Sequence, residues 1–188
     1  AGAEQLAVIG MGKLGGDELN YASDIDVMFV GEGDHATMVR AARNVLEHAR
    51  RCFRVDANLR PEGRDGPLAR SVGSYEAYWD KWAQPWEFQA LLKARPVAGD
   101  ATLGEAYHAA ATERLWSRHF SADDLRSVRA MKERAESEVA RKGLTEREVK
   151  RGRGGIRDIE FSVQLLQLVH GRLDPELRSP TTLVALAE

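Results

Sequence analysis

Cysteine is nearly absent: Cys52 is the single one in 188 residues, which excludes an internal disulfide framework and a cysteine zinc cluster. The five histidines, His35, His48, His108, His119 and His170, show no metal-ligand spacing. Charge of one sign is missing too. The 27 Lys plus Arg against 29 Asp plus Glu leave a net charge of −2, so no global basic field attracts nucleic acid. No apolar run approaches the ~20 residues needed to span a bilayer, and membrane insertion is excluded on that ground. There is no internal repeat and no low-complexity segment, and the first residues show no signal-type n-region or h-region. The chain starts at Ala1 without an initiator Met and stops in what reads as an unfinished helix, Leu183 to Glu188. A piece of a longer protein, working in a reducing cytoplasm, is the expectation.

With 43% hydrophobic and 30% charged residues, the composition is that of a globular protein. Leu6 to Ile9 is short, apolar and β-branched ahead of glycines, which predicts a buried strand. Asp24 to Val30 alternates and predicts a second strand with two acids at its start. Val39, Ala42, Val45, Leu46 and Ala49 recur at three- and four-residue steps, so residues 36–51 are expected as an amphipathic helix. Phe53, Val55, Ala57 and Leu59 then alternate with charged or polar neighbours, predicting a third strand that ends at Pro61. Beyond Pro67 no strand pattern returns. Helices are expected near 73–82, 86–95, 101–117, 123–142, 156–170 and from 181 onward, with Ser121 as an N-cap and Gly143 just past a helix end. The fold class is therefore α+β, a small mixed sheet followed by a helical layer. The expected divisions are a sheet core over 1–70, helices packing on it over 71–122, and the start of a helical domain over 123–188.

Gly10-x-Gly12-x-x-Gly15 after a strand matches the dinucleotide fingerprint. The match fails on context: too few residues follow for a crossover helix, and the acids lie at the beginning of the next strand rather than its end. A P-loop is excluded because no Ser or Thr follows Lys13. Asp24-Ile25-Asp26 carries more chemistry. On one strand two such carboxylates share a face with Cα atoms roughly 6.5 Å apart, close enough to ligate one magnesium ion. Asp56, on the next strand, would bring a third. Like charges so close call for a cation; the plain alternative is that Asp24 caps a turn and Asp56 pairs with Arg54 or Arg60. Gly12 and Lys13 offer backbone amides and a cation to a phosphate, or form an ordinary tight turn. Glu87, Lys93 and Arg95 follow Trp86 and read equally as phosphate or metal contacts and as residues anchoring Trp79, Trp82 and Trp86. The tryptophans themselves read as packing.

Arg151-Gly152-Arg153-Gly154-Gly155-Ile156-Arg157 opens a helix, where free amides and guanidinium groups make an anion site. From Leu125 to Arg157 there are eleven Lys or Arg against five Asp or Glu. In that last helix Arg157, Glu160, Gln164 and Gln167 form a polar stripe on an otherwise apolar cylinder. It faces either an active cleft or an internal network.

The glycine turn, the Asp-x-Asp strand and a later acid together resemble the nucleotidyltransferase superfamily typified by DNA polymerase beta, with Lys13 standing where Ser or Gly is usual. The blocks GMGKLGGDELNYASDIDVMF, VDANLRPEGRDGPLARS, WEFQALLKARPVAGD and KRGRGGIRDIEFSVQLLQLVHG resemble, in this order, the family of glutamine synthetase adenylyltransferases and adenylyl-removing enzymes. The resemblance implies a Mg²⁺-dependent enzyme with Asp24, Asp26 and Asp56 as catalytic and metal-holding residues. Phosphate, AMP or ADP, or ATP, would be held among Gly12, Lys13, Arg60, Lys93, Arg95, Arg153, Arg157 and Glu160, a set assigned from charge and placement. Glutamine synthetase would be the protein substrate, with the PII signalling protein and glutamine as effectors of the full-length enzyme. GMGKLG and the basic GRGGIRDIEF block resemble the N-terminal, adenylyl-removing half. The alternatives are ATP-dependent adenylylation by the other half and a non-catalytic docking module. Nucleic-acid polymerisation is a poor third, since no basic field or stacking platform is evident.

Overall fold

The structure, a computed structural model, describes residues 5–143 and 147–188, so a short part of the basic stretch 125–157 lies outside the described residues. Two compact units emerge, one comprising 1–83 and 90–115, the other 84–89 and 116–188.

The first unit is built on β1 (Gln5–Met11), a one-turn helix α1 (Gly12–Gly15), β2 (Ile25–Glu32) and α2 (His35–Ala49). Its short strands are β3 (Val55–Asp56), β4 (Ala69–Arg70) and β5 (Arg95–Gly99). The sheet is mixed. β1 lies between β2 and β5, antiparallel to both, whereas β3 and β4 pair parallel with successive parts of β2. The α+β expectation is met.

Hydrophobic pattern explains the centre of this sheet. Val27, Phe29, Met38, Ala42, Leu46, Ala57 and Ala69 form one buried cluster in which α2 covers β2. Asp34 caps α2 by accepting from the Thr37 amide at 3.0 Å, satisfying an otherwise orphan donor. Contact between α2 and the sheet is close enough that a Cβ on Gly31 would sit 2.8 Å from the Met38 sulfur. The helix α3 (Val72–Lys81) begins at its Ser71 cap. Its Tyr75 is fully buried and donates to the carbonyl of Phe29 at 3.1 Å. Tyr75, Trp79 and Tyr107 of α5 (Ala101–Ser117) stack in tilted and edge-on pairs. Trp79 thus packs as expected, but Trp82 does not: it is 69% exposed.

Three strand expectations are corrected. The third strand, expected over 53–59, pairs over Val55–Asp56 alone. Asp56 turns its carboxylate onto the Asn58 amide at 2.7 Å, and such local side-chain bonds compete with a ladder. Phe53 is consequently 56% exposed, and Cys52 is exposed in the turn after α2. The strands β4 and β5 were not expected at all. β4 has only two residues and shows no alternation. β5 contains Pro96 and Gly99, and its register with β1 shifts between Val8 and Ile9, so it carries the marks of an edge strand rather than a hydrophobic signal. The helix expected over 86–95 ends early, as α4 (Pro85–Leu91).

The second unit contains α6 (Ala122–Arg141), α7 (Ile156–His170), a 3₁₀ turn at Pro175–Arg178 and α8 (Thr182–Ala187). Ser121 caps α6 as expected, and Asp124 reciprocates to complete a capping box. Lys132 pairs with Glu136 at 2.5 Å and with Asp158 at 2.8 Å. α7 is not buried all round: Ile156, Ile159, Leu166 and Val169 are 43–55% exposed. No helix among the described residues is long and apolar enough to cross a membrane.

Candidate active site

The site grows out of the turn between β1 and β2. Each glycine of Gly10-x-Gly12-x-x-Gly15 answers a different close approach. A Cβ on Gly10 would sit 2.8 Å from Val97 and 2.9 Å from Leu14, and one on Gly15 would sit 1.6 Å from the carbonyl oxygen of Lys93. Gly12 has φ +52°, and a Cβ there would stand 2.7 Å from Oδ2 of Asp26. The motif is therefore a packing device against β5 and β2, and the dinucleotide reading is excluded by the geometry that replaces it.

Asp26 and Asp56 are register partners on the parallel strands β2 and β3, which lie roughly 4.8 Å apart in such a sheet. Met11, which precedes the glycine turn, is the register partner of Asp26 on the other side. The turn, Asp26 and Asp56 are thus juxtaposed, as the sequence implied. The convergence of three acids is corrected. β2 begins at Ile25, so Asp24 stands outside it, and its carboxylate pairs with Nε of Arg54 at 2.7 Å. Among the described residues no group of three His, Cys, Asp or Glu side chains stands ready to hold a metal ion. The donor set still fits magnesium: two neighbouring carboxylates beside a glycine cradle suit a hard cation that completes its shell with water and substrate phosphate.

The cations divide sharply. Arg60 spends its guanidinium on the loop after β3, donating to the carbonyls of Ala57 at 2.6 Å, Gly66 at 3.1 Å and Arg64 at 3.2 Å. Burial pushes this guanidinium below its usual range, and Tyr75 and Asp56 pull it back up. Arg95 donates to the carbonyls of Leu14 and Gly15, both at 2.9 Å, and meets Asp17 at 3.3 Å. Lys93 is 6% exposed and pairs with Glu18. Lys13, on the turn itself, is half-buried and its ammonium has no side-chain or carbonyl partner among the described residues. The partners Glu18 and Asp17 were not singled out from sequence, and Arg54 was named there only as a partner for Asp56; Glu18 and Lys93 lie 75 residues apart, beyond the reach of any local spacing.

Arg153, Arg157 and Glu160 belong to the second unit, Arg153 exposed and the others half-buried. The free amides expected before α7 are corrected. Gly154 N–H donates to Asp158 at 2.6 Å, Lys150 and Arg151 donate to Glu148, and the amides of Gly152 and of residues 155–158 donate to carbonyls. Lys132 and the Gly154 amide hold the Asp158 carboxyl below its usual range. The polar stripe of α7 is largely internal: Gln164 accepts from Gln89 at 2.7 Å, and Gln167 donates to Leu177 and Ser179.

Comparison with known proteins adds an independent line. Residues 1–110 match the family model of glutamate-ammonia ligase adenylyltransferase, and residues 128–188 match that of GlnD PII-uridylyltransferase. The chain is similar to the bifunctional glutamine synthetase adenylyltransferase/adenylyl-removing enzyme of Streptomyces avermitilis, 51% identical over an alignment of 196 positions that covers 97% of this chain and 20% of the relative. It is similar to the enzymes of the same name from Mycobacterium leprae (51% over 184 residues, 97% and 18%) and Corynebacterium glutamicum (48% over 182 residues, 96% and 17%). The chain thus spans a fifth or less of the length of these relatives.

Proposed function

Because the chain belongs to the glutamate-ammonia ligase adenylyltransferase family, a family of nucleotidyltransferases, we propose that it is the catalytic core of the half that removes AMP from a tyrosine of glutamine synthetase. The observation that carries the reading is the juxtaposition of the Gly12–Lys13 turn with Asp26 and, across β2 and β3, with Asp56. The blocks GMGKLG and GRGGIRDIEF support the adenylyl-removing half over the transferring half.

In this mechanism Gly12 lets the backbone approach the substrate phosphate, which a side chain there would block. Lys13 supplies the cation. Asp26 and Asp56 would hold Mg²⁺, and Asp24 would join them on leaving Arg54. The bound ion supplies charge stabilisation on the phosphoryl oxygens. Inorganic phosphate, positioned in line, forms a new P–O bond to the AMP phosphorus as the tyrosine oxygen leaves with the bonding pair and takes up a proton. ADP and unmodified tyrosine are the products, with no covalent enzyme intermediate. The setting is cytoplasmic, and PII signalling protein and glutamine act as effectors on the full-length enzyme.

The test incubates the protein with Mg²⁺, phosphate and AMP-modified glutamine synthetase, and in parallel with ATP and unmodified synthetase, following nucleotides by chromatography. ADP in the first tube alone is expected. Pyrophosphate in the second alone reverses the assignment to ATP-dependent adenylylation. Silence in both, with magnesium-independent binding to the synthetase, replaces catalysis by docking.

A further inference from the structure

Arg95 was a candidate for holding phosphate, and the geometry assigns it different work. The helix α1 is a single turn of four residues, far below the length at which a helix stands alone. Its carbonyls are met from just past its end, Gly12 by the Gly16 amide at 3.0 Å, Lys13 by that of Glu18 at 2.8 Å and Leu14, at a long 3.4 Å, by that of Asp17, so the last of them have room for a further donor. Arg95 Nε donates to the carbonyl of Gly15 and Nη2 to that of Leu14, both at 2.9 Å. A guanidinium fork suits two adjacent carbonyls, and a cation there complements the negative end of the turn.

The fork is aimed by the sheet. Arg95 is the register partner of Gly10 across β1 and β5, so its backbone lies beside β1 two residues before the turn. Gly15 closes the contact from the other side, since a Cβ there would stand 1.6 Å from the Lys93 carbonyl. Lys93 and Asp17 extend the same clamp, Lys93 by its pair with Glu18 and Asp17 by its 3.3 Å contact with Arg95. The first residue of the clamped turn is Gly12, in contact with Asp26, and the second is Lys13.

We propose that Arg95 is a positioning residue: it holds α1 by its C-terminal carbonyls and so sets where Gly12 and Lys13 meet the substrate phosphate, without itself touching substrate. The proposal rests on the nucleotide-binding reading above.

Two measurements test it on the whole chain. Hydrogen exchange follows the amides of Gly16, Asp17 and Glu18, which donate to carbonyls of α1, against those of α2 as reference; calorimetry follows binding of ADP with Mg²⁺. Arg95→Gln is expected to speed exchange at residues 16–18 by about tenfold or more, the worth of charge-assisted bonds lost, leaving α2 unchanged and weakening ADP binding. Arg95→Lys is expected to fall between, and it carries the test if Arg95→Gln does not fold. Lys13→Gln is expected to weaken ADP binding with exchange unchanged. If an Arg95 variant weakens ADP binding with normal exchange at residues 16–18, Arg95 is a direct ligand and the proposal fails. It fails equally if neither readout moves, or if exchange rises throughout the first unit together. Should the unaltered protein bind no ADP, the nucleotide reading falls on its own, and the exchange arm still decides whether Arg95 holds the turn.

Discussion

The carboxylate of Asp26 occupies the space a side chain on Gly12 would need, its Oδ2 2.7 Å from the position of a Cβ there. Gly12 also has φ +52°, in the left-handed region that disfavours L side chains. Gly12→Ala is therefore expected to push the turn and the acid apart. A displacement of about 1 Å at a reacting centre costs about 100-fold in rate, so turnover should fall by about that factor. Steady-state kinetics, with circular dichroism to verify the fold, checks it.

Arg54 competes for Asp24. Their ion pair is exposed, with side chains 74% and 57% accessible, and exposed pairs contribute about 0.2–1 kcal/mol. Removing the guanidinium in Arg54→Gln should release Asp24 and lower the magnesium concentration for half-maximal activity by about 1.5- to 5-fold, the same range expressed as a ratio. A magnesium titration yielding an unchanged or higher midpoint would show that Asp24 serves no ion.

Tyr75 and Tyr107 make a controlled pair, adjacent in the core and both fully buried. Burial pushes both phenols up, so they stay neutral through the working pH range. Tyr75 donates to Phe29, whereas the Tyr107 hydroxyl has no partner among the described residues. Tyr75→Phe should cost about 1 kcal/mol, and Tyr107→Phe should be neutral or stabilising, because an unmet buried hydroxyl is itself a cost. Chemical denaturation of the two variants measures the difference directly.

The Asp158–Lys132 pair ties α7 to α6. The Asp158 carboxyl is held below its usual value of 3.8, first by Lys132 and then by the Gly154 amide. A depressed acid stabilises the fold fully above its unfolded pKa and loses that contribution as pH falls through the lower, folded value. Lys132, raised from 10.5 chiefly by Asp158, gives the opposite limb, present below 10.5 and lost as pH rises further. The contribution should thus be flat between about pH 4 and 10. Hydrogen exchange at Gly154 should show loss of protection only below about pH 4, and Asp158→Asn should abolish that acid limb.

Much of the site was legible because local chemistry announces itself over short distances. The spacing of Gly10, Gly12 and Gly15, the Asp-x-Asp at a strand start and the cap Ser121 each follow from bonds or contacts within a few residues or across one turn. The central strands and α2 were legible for a related reason: one buried face imposes its period on the sequence. β5 left no such trace, as Pro96 and Gly99 break the alternation that an edge strand can do without.

The residue types of the candidate site, then, were determined by the sequence alone: a glycine turn, acids on adjacent strands, and several cations nearby. Which cation does what was decided only by tertiary structure. Charge makes Lys13, Arg60, Lys93 and Arg95 equivalent on paper. The register of β5 on β1 delivers Arg95 to the carbonyls of α1 and Lys93 to Glu18, and the curl after β3 turns Arg60 onto its own loop. A buried or bridging cation must satisfy its donors where it stands, so those three organise the turns, which leaves Lys13 as the cation proposed to face the phosphate.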